Sequence, residues 1–254
     1  MDRPPPHRHG LSSLQRLAAR LQDAALLAGA AMLAAFPMFL YQYWHLTALI
    51  RPRLPAPEVL NNLALKQSVV VFFMAFLCAM VGFLYSERLR LPGLGAWRGL
   101  RLWLPLGLAL GLLVTPFSYL TLDRTLYALI PAVFPSPWYW ALADMLGEAL
   151  TQEVIARFGL FTIGLYFLDR WGRHGYPWPV MGLISLLGAV GTFLFLRKFG
   201  LLTRIGPAET GLALVGAFAM QWLYCHVYLH FGLLASVSLN FGLSVKYLLY
   251  ALLL

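Results

Sequence analysis

The chain has 254 residues, of which 60% are apolar and only 11% charged, and its mean hydropathy is +0.71. A soluble domain carries about a quarter charged residues, so a cytosolic enzyme, a disulfide scaffold and a disordered tail are excluded and lipid is the expected solvent. The net charge of +9 comes without the basic stripe and interleaved aromatics of a nucleic-acid binder, and it reads instead as loop arginine that orients a membrane protein.

The first twenty residues are basic and Pro-rich, with Arg3, Arg8, Arg16 and Arg20. They form an expected N-terminal cytoplasmic segment, residues 1–20, ahead of a single helical bundle, residues 21–254. The apolar run 21–43 follows a basic start as a signal peptide would, but its length and the lack of a polar cleavage region favour a retained first helix. Further spans are expected at 68–85, 100–120, 138–168, 180–196, 212–229 and 233–254. All but 138–168 are close to the roughly 20 residues that a crossing needs. The result is an all-α polytopic transmembrane bundle of about seven helices.

Two elements depart from a plain crossing. The stretch 125–137, ending in ALIPAVFPSP, is short and broken by proline, so it reads as a re-entrant or interfacial lead-in to the next helix. The stretch 138–168 is longer than one crossing requires and is expected to tilt or project. Trp138, Tyr139, Trp140, Trp171 and Trp178 fall at span ends, where an aromatic belt belongs. The turn ERLRLPGLGAWRG is the clearest linker, because Pro and Gly interrupt its apolar pattern.

Placing the N-terminus inside puts Arg3, Arg8, Arg16, Arg20, Arg88, Arg90, Arg98, Arg101, Arg170 and Arg173 on the cytoplasmic side. Arg51, Arg53, Lys66, Arg124, Arg197, Lys198 and Arg204 fall on the other side. The bias favours that orientation in a bacterial-type inner membrane.

Charges inside a span cost on the order of 3 kcal/mol each, and one segment concentrates them. ALADMLGEALTQEVIARFGL carries Asp144, Glu148, Thr151, Gln152, Glu153 and Arg157. At helical spacing Asp144, Glu148 and Thr151 share one face, with Gln152 at its edge. Glu153 and Arg157 lie opposite, in the favourable acid-then-base order four residues apart, as a buried ion pair or as part of a site. Asp144 and Glu148 have either of two uses, the headgroup layer beside Trp138 and Trp140 or a site within the bundle.

His226 and His230 in MQWLYCHVYLHFG are also four apart, a spacing that helical metal ligands use and that interfacial histidines share. No HExxH and no Cys/His cluster accompanies them, and no cofactor or metal is expected. Cys78 and Cys225 sit far apart in apolar runs, as small core residues do. Ser236, Ser238, Asn240, Ser244 and Lys246 give the last span a polar seam of the kind that joins membrane helices.

The Pro/Trp lead-in and the helix reading TQEVIARFGL resemble the membrane-embedded CAAX protease and bacteriocin-processing family, and the likeness extends in architecture from about residue 86 to 254, with the SERLRLPGLG turn included. What the resemblance implies is glutamate-based proteolysis within the membrane. There a glutamate and a second-motif histidine activate water, and a third-motif histidine with a nearby Asn or Asp holds the oxyanion. Carried onto this chain, the first glutamate falls on Gln152, the second on Glu153 and the arginine on Arg157. The second motif falls after Pro179, where Thr192 or a neighbour stands in place of histidine. The third places Asn240 where histidine belongs and Ser244 at the Asn/Asp position.

A rival register takes Trp222 and His226 as the second motif, but then needs a further helix beyond residue 254. Glutamine carries no titratable proton and is no general base, so the resemblance implies a catalytically degenerate member. Such a protein would bind a transmembrane or C-terminal segment of a client, or assist an active protease homologue, in addition to contacting lipid. The enzyme alternative uses Glu153 or Glu148 with His226 or His230. A small transporter with Asp144, Glu148 and Arg157 along its path is the third possibility.

Overall fold

The computed structural model describes residues 13–50, 56–129, 134, 137–172 and 176–253. Arg3, Arg8, Arg51, Arg53 and Arg173, and most of the expected lead-in between residues 130 and 136, lie outside these. The described chain is helical, with no strand among the described residues. Its elements are α1 Ser13–Ile50, α2 Pro57–Tyr85, α3 Trp97–Ser118, a π-helical segment π1 Tyr119–Asp123 and α4 Arg124–Leu129. There follow α5 Trp138–Gln152, a second π-helical segment π2 Glu153–Phe161, α6 Thr162–Arg170, α7 Trp178–Lys198, α8 Pro207–Phe231, α9 Leu233–Leu243 and α10 Val245–Leu253.

Six helices are long and apolar enough to cross a membrane: Gln15–His45, Pro57–Tyr85, Trp97–Ser118, Trp178–Lys198, Pro207–Phe231 and Leu233–Leu253. Together they make an all-α polytopic bundle. The seventh expected crossing is a continuous helical run through α5, π2 and α6. It stands apart from the six because it carries the intramembrane charges and because π2 interrupts its α-helical pitch. α1 begins at Ser13, so residues 13–20 of the expected basic segment belong to the first helix. Residues 124–129 likewise continue α3 through π1 as helix, and Leu126 and Phe134 are buried with Leu196, Leu201 and Tyr250.

Lipid supplies no hydrophobic drive between helices, so small residues that let backbones approach decide the packing. On α1 the residues Ala24, Ala28, Ala31 and Ala35 are fully buried, a stripe at spacings of four and three that α2 meets with Val71, Ala75 and Ala79. Gly147 brings α5 onto α1, where a β-carbon would stand 2.6 Å from the Ala34 carbonyl oxygen. α2 and π2 are joined by reciprocal glycines, Gly82 under the Phe158 ring and Gly159 against Cys78. Gly107 and Gly111 of α3 lie against the backbone of α9 near Gly242. α7 packs along α8, with Gly188 against the Gln221 side chain. The glycine pair between α2 and π2 lies at π2 itself, and the others draw together helices around it.

The Ser86–Ala96 linker holds α9 in place. Gly232, at φ +88°, breaks α8 and lets the chain reverse into α9. The first backbone N–H groups of α9 would then be unpaired. Leu233 donates instead to the Gly93 carbonyl at 3.0 Å and Leu234 to the Leu94 carbonyl at 2.9 Å. Gly95 fits against Gly232 so tightly that a β-carbon on Gly232 would lie 2.6 Å from the Gly95 α-carbon. Gly232→Ala is therefore expected to cost about 1–2 kcal/mol from backbone strain alone, and more from the collision. A thermal melt of the detergent-purified variant should show a lowered Tm, and an unchanged melt would contradict this account of the junction.

Candidate functional site

π2 begins on Glu153 and contains Arg157, and both side chains are completely buried. The wider i→i+5 turn of a π-helix occurs mostly as a local bulge within α-helices and is frequent at functional sites. Here it carries Glu153 and Arg157 inward among the surrounding helices, and Arg157 Nη1 lies 3.3 Å from Glu153 Oε1. Thr162 marks the same wide turn by donating to the carbonyl of Arg157, five residues back, at 3.2 Å.

Both carboxylate oxygens of Glu153 have partners from α9. Asn240 donates its amide to Oε1 at 2.8 Å, and the Ser236 hydroxyl, which also lies 3.2 Å from the Tyr224 carbonyl, donates to Oε2. Ser236 and Asn240 are one helical turn apart, so a single face of α9 presents both. On the other side the Arg157 Nη2 group donates to Gln221 Oε1, and the guanidinium lies over the Tyr224 ring, 5.0 Å from its centroid. The pair is thus held from α9 on the anionic side and from α8 on the cationic side. A buried, hydrogen-bonded ion pair of this kind is stable only while both partners remain.

The other residues singled out in the sequence lie elsewhere. Gln152 faces away from Glu153 and donates to Glu148 Oε1 at 2.7 Å. Asp144 and Glu148 are half-buried, with Gln42 of α1 beside Asp144 and Lys246 of α10 within electrostatic reach of Glu148. The Thr151 hydroxyl is buried without a partner among the described residues. Ser244 bonds the Asn240 carbonyl of its own helix at 3.0 Å, and Thr192 bonds the Gly188 carbonyl of α7 at 3.2 Å. Neither enters the Glu153 shell. The rings of His226 and His230 lie against each other with centroids 4.6 Å apart and planes inclined at 60°, on the exposed face of α8. The structure therefore brings together Glu153, Arg157 and Asn240, and leaves Gln152, Glu148, Ser244 and both histidines apart from them.

Three contributors are not evident in the sequence. Gln221 and Tyr224 sit in an apolar aromatic run where only the glutamine stands out, as a polar residue placed mid-helix. Asp123, at the end of π1, is 3% exposed. It receives Lys246 Nζ at 3.1 and 3.3 Å and the Tyr250 hydroxyl at 2.9 Å. Each π segment thus carries a buried carboxylate that is answered by the last span. Among the described residues no group of three His, Cys, Asp or Glu side chains is placed to hold a metal, and Cys78 and Cys225 are buried free thiols.

Comparison of the chain with protein-family models, with curated proteins and with solved structures returns no match.

Replacing either Glu153 or Arg157 with leucine leaves one buried charge without its counter-charge, an expected loss of about 3–5 kcal/mol. Replacing both should cost much less than the sum of the two single changes. A double-mutant cycle on denaturant unfolding in detergent reads this coupling, and additive losses would show that the pair is not a unit.

Proposed function

We propose that this chain is a catalytically degenerate relative of the glutamic intramembrane proteases, one that binds a membrane-inserted or C-terminal segment of a client protein without cutting it. The observation that supports this most directly is that Glu153 is completely buried and each of its oxygens already accepts a hydrogen bond from α9. A general base must offer an oxygen within reach of a water, yet both Glu153 oxygens are occupied by Asn240, Ser236 and Arg157. The position next to it is a glutamine, and that glutamine is turned toward Glu148.

Active proteolysis with His226 or His230 would need an imidazole beside a carboxylate. The exposed outer face of α8 holds both rings away from Glu153, so the arrangement favours binding over hydrolysis. We further assign the chain to a bacterial-type inner membrane with its N-terminal end cytoplasmic. The pairing of Arg20 with Glu87 and the stacking of Arg88 on Tyr166 bring the start of α1, the end of α2 and the end of α6 to one side. Arg16, Arg90, Arg98, Arg101 and Arg170 join them there by chain order, in keeping with the positive-inside tendency.

The test uses the full chain in proteoliposomes with fluorogenic transmembrane peptides and photo-crosslinkable client segments. The expected result is crosslinking without cleavage, and no change in turnover on Glu153→Ala. Peptide cleavage that Glu153→Ala abolishes would overturn the proposal, as would failure to crosslink any membrane segment. Orientation is read separately, by labelling a single cysteine at Ala96 in a double Cys78→Ala, Cys225→Ala background. The label should react only from the cytoplasmic side.

A further inference from the structure

The guanidinium of Arg157 is not fully satisfied by the contacts that hold Glu153. It has five N–H groups, and it is fully buried. Nη2 reaches Gln221, Nη1 has ion-pair distance to Glu153 without the alignment of a hydrogen bond, and Nε has no hydrogen-bond partner. Buried donors in a lipid-embedded bundle have no bulk water to turn to, and such groups are nearly always bonded.

A second orphan stands on the facing helix. Ser185 of α7 is fully buried, and its hydroxyl has no partner. The Thr151 hydroxyl of α5 is likewise unpartnered, whereas several other buried hydroxyls are bonded. Ser68, Thr115 and Ser238 turn back to carbonyls of their own helices, and Thr162 and Ser236 have partners across the bundle.

The helix register brings these two orphans to one level. α7 runs back along α6 and π2 after the turn near residue 172, and Val180 meets Gly164 at the start of that pairing, where a β-carbon would stand 2.6 Å from Val180 Cγ1. Ser185 is five residues further along α7, and at about 1.5 Å per residue it draws level with the turn of π2 that holds Arg157. From above, Gly188, on the stripe of α7 that contains Met181 and Ser185, lies against Gln221, the residue that Arg157 bonds. Cys225, one turn beyond Gln221 on α8 and also fully buried, adds only a weak sulfur acceptor beside the guanidinium.

We infer that Arg157 and Ser185 form an internal hydration site, in which a water between π2, α7 and α8 accepts from the guanidinium and bonds the serine hydroxyl. Water fits this place better than an anion, because Glu153 already balances the charge of Arg157 and a further negative charge would be buried without a counter-charge. It also fits the number of partners, since a buried water makes two to four hydrogen bonds and the Arg157 Nε–H and the Ser185 hydroxyl offer two, while Nη1 faces Glu153 on the other edge of the guanidinium. The site lies on the guanidinium side of the pair, away from the Ser236 and Asn240 contacts. It wets the centre of the bundle without bringing water to a free carboxylate oxygen. The inference rests on the unpartnered donors and is independent of what the bundle binds.

The test is water-edited solid-state NMR of the full chain in lipid bilayers, with arginine side chains labelled. Arg157 Nε–H is expected to show transfer from water, although neighbouring core amides of π2 do not. Ser185→Val fills the space and removes the hydroxyl, and should abolish that transfer while the Glu153–Arg157 pair persists. Cys225→Ala should leave it unchanged. A wild-type Arg157 Nε–H without water transfer would overturn the inference whether or not the valine variant folds, and so would transfer that survives Ser185→Val undiminished.

Discussion

The buried Glu153–Arg157 pair is the constraint on which the rest of the bundle depends. Two opposite charges within hydrocarbon are tolerable only when each is surrounded by groups that replace water. Five side chains from three different helical elements answer that demand here: Glu153 and Arg157 on π2, Ser236 and Asn240 on α9, and Gln221 on α8. Because these polar groups must meet at one point, they fix the depth and rotation of the helices that carry them. The apolar contacts, which are much less directional, leave those freedoms open.

The small residues follow from the same requirement. Gly82 and Gly159 bring α2 against π2, Gly147 brings α1 against α5, and Gly188 brings α7 against α8. The Gly93–Gly95 linker, bonded to Leu233 and Leu234, fixes the start of α9 one turn before Ser236. The loop thereby acts on the buried carboxylate through the helix that it caps. A second, smaller centre repeats the scheme at the other π segment, where Asp123 is answered by Lys246 and Tyr250. Tyr247 lies within electrostatic reach of Asp123, Asp144, Glu148 and Tyr224.

This organisation bears on chemistry. A carboxylate placed for catalysis keeps one oxygen available to its substrate or to water, whereas Glu153 uses both oxygens to hold the fold together. Gln152, next to Glu153 in sequence, and Asn240, which bonds it, are both amides. Amides donate and accept without titrating. Glu153, Asn240 and Ser236 together make a stable polar joint, which is the physical content of the binding-only proposal.

The sequence by itself determined the membrane class, the helical architecture and most of the crossings, because apolar runs near 20 residues have few other uses. It also determined that Glu153 and Arg157 would meet, since i,i+4 spacing places them together on any helix. The tertiary structure alone decided which other residues meet them. Asn240 and Ser236 are more than eighty residues from Glu153 in sequence, and no local period marks them as its partners. The same holds for Gln221, an isolated polar residue among aromatics, and for Asp123, whose pairing with Lys246 spans the bundle. His226 and His230 show the opposite limit. Their spacing is correct for shared chemistry, but only the rotation of α8 in the assembled bundle turns them outward, because the face that α8 buries is set by Gln221 and Tyr224 against Arg157.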